Sequence, residues 1–310
     1  MTHTRKSKVS LVIPVYNEEG NLEELNKRIL DVFHTIDIDY EIIYVDDGSI
    51  DKSLSIINKL SDQNEFIRFI SFFRNFGQHA SVMAGFKNAE GDIVITLDSD
   101  LQNPPEAIPE FLNAIEKGYD IVAGRRVKRK DYWIRTILSF IMNKIISLLI
   151  GSKLHDHGCM MRAYRRPIVE QVLKYGEKSV YIPAFASWLT SNTIEIPIKH
   201  YVRKGGKTRY SFFKLLGQAF DLITAYTLIP IQIISLVGVT LSLLGVILFG
   251  YLMYYRLFFG SPSSLTTFIA FLVLLSGITL FSLGVISEYI ARLYREVRKT
   301  PLYIIKNRKE

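Results

Sequence analysis

The sequence predicts an α/β domain on a mainly parallel sheet with helices on both faces, followed by a two-helix transmembrane hairpin. Three features carry that expectation. Short apolar runs alternate with helically periodic segments from Val9 to Ala123, the pattern of repeated βα units. Each run ends in a polar cluster, as strands do where a parallel sheet presents its ligand-binding carboxyl edge. The stretch Ile229 to Ile286 is almost free of charge, with Arg256 the sole exception.

Val9 to Val15 reads as a buried strand ended by Pro14, Asn17 and Gly20, and Leu22, Leu25, Ile29, Leu30 and Phe33 then recur at helical spacing. Glu41 to Val45 is a second strand, closed by Asp46-Asp47-Gly48-Ser49, with a helix carried by Leu54, Ile56, Ile57 and Leu60. Phe66 to Phe73 gives a third strand, Gln78 to Ala89 a third helix and Ile93 to Leu97 a fourth strand. Pro104 and Pro105 stop that strand and start a helix, since proline suits the first helical turn. Tyr119 to Ala123 is a further strand. The basic run Arg125 to Lys130 precedes Trp133 to Ile150, whose apolar face fits an interfacial helix or a buried core helix equally. Leu154 to Arg166 reads as a loop lining a site, Glu195 to Tyr201 as a strand, and Arg203 to Tyr210 as a glycine-hinged cationic loop. Tyr210 to Tyr226 is amphipathic.

The segments at about 229–255 and 265–287 are each long enough to cross a bilayer, which takes ~20 apolar residues. The tail after residue 291 is rich in Lys and Arg, so the positive-inside rule puts both termini on the cytoplasmic face of an integral, multi-pass membrane protein. Residues 1–226 form the cytoplasmic catalytic-type domain, 227–290 the hairpin and 291–310 a basic tail. With 38 basic and 30 acidic residues the net charge is +8, which favours anionic lipid as a neighbour. No nucleic-acid motif accompanies the charge, which argues against nucleic acid. A single cysteine, Cys159, excludes an intrachain disulfide framework. No cleavable signal peptide is expected, because Val9 to Val15 is short and interrupted by Pro14.

The chemistry centres on Asp92 to Pro105, DIVITLDSDLQNPP. An apolar strand runs into Asp98, Ser99 and Asp100, and strand alternation places positions i and i+2 on one side. Two carboxylates delivered together suit Mg²⁺ or Mn²⁺, hard cations that keep coordination sites open for phosphate oxygens. Asp-x-Asp is also common turn chemistry. Four polar clusters on one sheet edge decide for a nucleotide-phosphate site: Tyr16, Asn17 and Glu18; Asp46 and Asp47; Arg74 and Asn75; Asp98 and Asp100. No Gly-x-Gly-x-x-Gly follows the first strand and no Walker lysine loop is present, so neither a dinucleotide nor a P-loop site is indicated. His155, Asp156, His157 and Cys159 are too crowded, with no second ligand pair, for structural zinc. Asp156 is instead a candidate acid/base or positioning residue.

VIPVYNEE (Val12 to Glu19), VDDGS (Val45 to Ser49), RNFGQ (Arg74 to Gln78) and LDSDLQNPPE (Leu97 to Glu106), with two C-terminal spans, resemble the family 2 glycosyltransferases that use polyprenyl phosphates. GCMMRAYRR (Gly158 to Arg166), IEIPIKH (Ile194 to His200) and KTRYSF (Lys207 to Phe212) resemble the branch that transfers 4-deoxy-4-formamido-L-arabinose. The resemblance implies a GT-A fold, an inverting transfer from a nucleotide-sugar donor, usually UDP-linked, a divalent cation, an undecaprenyl-type phosphate acceptor and a homo-oligomer. Glucosyl or other hexosyl transfer to the same lipid stays open. So does a non-catalytic or polymer-synthase-associated membrane component, although two spans are few for a polymer conduit. By matching position, Pro14, Tyr16, Glu18 and Asp46 would hold the nucleoside, with Asp47, Arg74 and Gln102 beside the donor. Asp98 and Asp100 would hold the cation and diphosphate. Arg126, Arg203 and Arg209 are implied for acceptor phosphate or leaving diphosphate, and Asp100, Asp156 and Arg126 for the chemical step.

Overall fold

The computed structural model describes residues 7–127, 154–156, 158–175, 181–201 and 301–309, with scattered single positions between 247 and 297. The chain divides into two compact units, one of Met1–Ala225 with Pro301–Glu310 and one of Tyr226–Thr300.

In the first unit, β1 (Lys8–Val15), β2 (Asp39–Asp46), β3 (Ile67–Phe72), β4 (Ile93–Thr96), β5 (Ile121–Val127), β6 (Arg162–Arg165), β7 (Thr193–Lys199) and β8 (Ile305–Lys309) form one sheet in the order β7-β5-β6-β4-β1-β2-β3-β8. Helices α1 (Leu22–Thr35), α2 (Ser53–Gln63), α3 (Gln78–Asn88) and α4 (Ile108–Glu116) follow the first four strands, as the alternation predicts. α5 (Arg166–Tyr175) and α6 (Ile182–Leu189) come later. β1 pairs in parallel with β2 and β4, and β2 with β3. Its interior position explains its near-continuous apolar run, since parallel strands covered on both faces lose polar alternation. Val9, Leu11, Val12 and Ile13 are fully buried.

Three pairings correct the reading of a mainly parallel sheet to a mixed one. β6 runs antiparallel to both β4 and β5, and β8 runs antiparallel to β3. Arg162 to Arg165 therefore leaves the expected loop and becomes a strand, whose four residues RAYR are too short and too charged to show strand periodicity. The basic tail likewise ends as an edge strand. Tyr303 stacks on Phe72 with ring centroids 5.0 Å apart, and Lys309 Nζ reaches Asp62 at 2.6 Å. β8 thus covers an otherwise open edge.

At the amino-terminal end of the strands the carboxylate of Glu41 is buried and bonded by the Ser10 hydroxyl at 2.6 Å, the Glu90 N–H at 2.8 Å and Arg68 Nη1 at 2.8 Å. Removing such an acceptor leaves buried donors unpaired. Glu41→Ala is expected to destabilise the protein by about 2 kcal/mol, read by denaturant unfolding, with the functional site unaffected because it lies at the opposite end of the strands.

The interfacial helix expected over 132–150, the helix over 210–226 and most of both expected spans lie outside the described residues. Among the described residues no helix is long and apolar enough to cross a membrane.

Candidate functional site

The strand order β3-β2-β1-β4 reverses its winding between β1 and β4, and a crevice opens beyond the carboxyl ends of strands at such a switch point. The expected residues gather there. The loop after β1 carries Tyr16 and Glu18, and the turn after β4 carries Asp98 and Asp100.

The loops after β1 and β2 lock together through side chain to backbone bonds. The Asn17 N–H donates to Ser49 Oγ at 3.0 Å, the Ile50 N–H to Asn17 Oδ1 at 2.9 Å and the Glu18 N–H to Ser53 Oγ at 2.9 Å. Asn17 takes a left-handed φ of 55°, which asparagine tolerates better than most residues. Asp46, buried, accepts from the Ser49 N–H at 3.1 Å and the Ser71 hydroxyl at 2.9 Å. Asp47 accepts from the N–H groups of Phe76 and Gly77 at 2.7 and 2.9 Å. Burial pushes its carboxyl up to about 6, against the pull of those two N–H bonds. The two aspartates thus shape the loops after β2 and β3, the second of which carries Arg74. Gly48 is required between them, because its φ is +67° and a Cβ there would lie 2.5 Å from the Arg74 carbonyl carbon. Arg74 is exposed, its guanidinium 4.9 Å from the Phe76 ring centroid. Pro14 lies within β1, opposite Val45 of β2.

Leu97 continues the β4 line, its N–H bonded to the Val12 carbonyl at 3.0 Å, so Asp98 leaves the sheet at a fixed point. Asp98 Oδ1 accepts from Gln78 Nε2 at 2.6 Å and Oδ2 from Asn103 Nδ2 at 3.0 Å. Burial and the Asp100 charge push the Asp98 carboxyl up to about 7, with Gln78, Arg126 and Asn103 pulling it down. The Asp100 side chain accepts the Gln102 N–H at 3.1 Å. Leu101 between them holds a positive φ of 60°, a strained conformation of the kind kept at functional turns. Gln102 is bonded twice to Tyr201, its carbonyl accepting the Tyr201 N–H at 3.0 Å and its Nε2 donating to the Tyr201 carbonyl at 3.3 Å.

Two close carboxylates, one of them resisting ionisation, fit a divalent cation. Such an ion would relieve their repulsion and take its remaining ligands from a diphosphate. Among the described residues no group of three or more His, Cys, Asp or Glu is placed to hold a metal ion.

The charge of Arg126, on β5, acts to lower the Asp98 pKa. Its fork is gripped by Asp156, with Nε to Oδ2 at 2.8 Å and Nη2 to Oδ1 at 2.7 Å, and its N–H also reaches Oδ2 at 3.2 Å. The pair holds the guanidinium charged, its pKa raised well above the ordinary arginine value. Gly158 makes room for it, since a Cβ there would come within 2.8 Å of Arg126 Nη2. Asp156 is buried and both of its carboxylate oxygens are bonded to Arg126. Cys159 is buried and its thiol pushed up to about 12, mainly by burial, which leaves it inert.

Arg203 and Arg209 lie outside the described residues. Gln78, Asn103 and Glu195 were not singled out from the sequence. Gln78 belongs to the RNFGQ motif and Asn103 to LDSDLQNPPE, so motif membership was the available signal for both.

Residues 10–173 match the family model described as glycosyl transferase family 2. Two curated relatives, the undecaprenyl-phosphate 4-deoxy-4-formamido-L-arabinose transferases of Photorhabdus laumondii subsp. laumondii and Proteus mirabilis, are 42% and 41% identical, covering 98% of this chain and 95% and 94% of theirs. Among solved structures, S. aureus TarS 1-349 in complex with UDP-GlcNAc is similar at 21% identity and a TM-score of 0.48, over 71% of this chain and 68% of that one.

Proposed function

The chain belongs to glycosyl transferase family 2 and is a glycosyltransferase, and from that membership we propose that it moves 4-deoxy-4-formamido-L-arabinose from a UDP-linked donor to the phosphate of undecaprenyl phosphate. The single observation that carries the reading is the Asp98/Asp100 pair in the turn after β4, with a firmly held Arg126 near enough for its charge to act on Asp98. The carboxylate pair suits a cation-bound diphosphate and the guanidinium suits a second phosphate.

The chemistry follows from charge. The second pKa of an acceptor phosphate is about 6, so at neutral pH it is an adequate nucleophile without a protein base. Its oxygen forms a bond to the anomeric carbon as the bond to the nucleoside diphosphate breaks on the opposite face, which inverts the centre. The protein's work is to align two anions that repel and to steady the leaving diphosphate. A divalent cation at Asp98 and Asp100, Mg²⁺ or Mn²⁺, would supply positive charge to that leaving group. Arg126 supplies a fixed guanidinium; Asp156 takes its Nε–Nη2 edge, and the Nη1–Nη2 edge can meet phosphate oxygens. Arg203 and Arg209 of the cationic loop are further cations proposed for the two phosphates.

A membrane location on the cytoplasmic face fits the lipid acceptor. It is supported by the charge-poor stretch 229–286 and by exposed large apolar residues at helical positions of the second unit, among them Ile247, Tyr251, Leu257, Phe258, Leu283 and Ile286. Clustered apolar exposure of this kind marks a surface made for another apolar phase.

The test is mass analysis of lipid products after incubating the full-length protein with undecaprenyl phosphate and a panel of UDP-sugars, with and without EDTA. A single pentosyl-lipid product that disappears with EDTA and returns with Mn²⁺ is expected. A hexosyl product would overturn the sugar assignment, and sugar release without lipid product would overturn the acceptor.

A further inference from the structure

We propose that Glu195 is the positioning residue that sets Arg126 for the lipid phosphate, by fixing the backbone on which Asp156 stands; the inference rests on the acceptor role given to Arg126 above. Glu195 lies on β7, in register with Ala123 of β5, while Arg126 is three residues further along β5. Asp156 lies on the segment that enters β6 on the other side of β5. The three side chains therefore tie together three adjacent strands.

Glu195 Oε1 accepts the N–H of His155 at 2.6 Å and the N–H of Asp156 at 2.9 Å, and Oε2 lies 2.8 Å from His155 Nδ1. These N–H groups belong to no strand or helix, so the carboxylate supplies partners that the fold does not. From the other side Arg162, fully buried, donates Nη2 to the Asp156 carbonyl at 3.3 Å and Nε to the Cys159 carbonyl at 3.0 Å. Each polar part of residue 156 is thereby fixed: the N–H by Glu195, the carbonyl by Arg162, the carboxylate by Arg126. Arg162 is locked into β6, whereas the Glu195 side chain is 11% exposed and reaches a residue 39 positions away. Of the anchors holding this backbone, Glu195 is the one that a substitution can remove without opening the core.

The consequence is directional. Without Glu195 the Asp156 backbone relaxes, the carboxylate grips Arg126 from a shifted position, and the guanidinium loses alignment with the acceptor. A displacement of about 1 Å at a positioning group costs up to about 10²-fold in rate. The Asp98/Asp100 side keeps its own supports from Gln78 and Asn103, so binding of the nucleotide is spared.

The experiment uses the full-length protein in detergent, comparing Glu195→Ala and Glu195→Gln with wild type. Three quantities are read: KM for undecaprenyl phosphate, Kd for UDP with Mn²⁺, and hydrogen exchange at the amides of residues 155 and 156. For Glu195→Ala, exchange and acceptor KM are each expected to rise about tenfold or more, with UDP affinity within about twofold. Glu195→Gln keeps an oxygen for the two N–H groups and should recover most of both losses. Unchanged exchange, or acceptor KM and UDP Kd moving together, would overturn the proposal. Arg126→Ala in parallel separates the two failures. If it leaves acceptor KM unmoved, the acceptor role of Arg126 falls and the proposal with it. If acceptor KM moves in Arg126→Ala but not in Glu195→Ala, only the role of Glu195 falls.

Discussion

Asp100→Ala is expected to lower transfer to undecaprenyl phosphate by about 10³-fold or more, the scale seen when a group stabilising developing charge is removed, with thermal unfolding almost unchanged. The reason lies in how differently the two aspartates are held. Asp98 is bonded by the side chains of Gln78 and Asn103, whereas the Asp100 side chain accepts from the Gln102 N–H of its own turn. Little of the fold depends on Asp100, so its charge is the main thing lost. Asp100→Asn retains an oxygen for the Gln102 N–H and removes only the charge. It should be nearly as inactive as the alanine variant and should need far more Mn²⁺ for any residual turnover. Turnover near wild type in Asp100→Asn would show that the carboxylate pair serves the turn and not a cation.

That turn was the most legible part of the molecule. β4 ends at Thr96, so it is the turn after it, and not strand alternation, that brings Asp98 and Asp100 together; the polar residues after β1, β2 and β3 lie at the ends of parallel strands as the βα pattern requires. That last inference needs only local periodicity. Contacts between distant segments were not legible. Glu195 and Asp156 meet across 39 residues, and nothing in IEIPIK separates an inward carboxylate from a solvated one. β8 reads as a basic tail because Lys306, Arg308 and Lys309 alternate with only Ile305 and Asn307, and what makes it a strand is the free edge of β3. Asp46 and Asp47 show a subtler gap. Their position at the strand end was plain, yet the sequence does not reveal that their described bonds run to Ser49, Ser71, Phe76 and Gly77, shaping the crevice from behind.

The same distinction between a carboxylate that reacts and one that holds governs Asp156. A general base must come within about 3 Å of the proton it takes. Both Asp156 oxygens already lie within 2.8 Å of Arg126 nitrogens, and the side chain is 4% exposed. The acceptor phosphate, ionised at neutral pH, has no need of such a base. Asp156→Ala should therefore act through Arg126, leaving its mostly buried guanidinium without its hydrogen-bonded partner at a cost of about 3 kcal/mol in stability together with most of the activity. Arg126→Ala should lose similar activity. The Arg126→Ala/Asp156→Ala double variant should be no less active than either single one and more stable than Asp156→Ala alone, because the stranded charge is gone. Denaturant unfolding of the four proteins gives the coupling energy, and turnover of undecaprenyl phosphate gives the kinetic cycle. If Asp156 were an independent base, the activity losses of the single variants would multiply in the double variant. For an anchor they overlap, because both substitutions remove one and the same object, a guanidinium held still by its carboxylate.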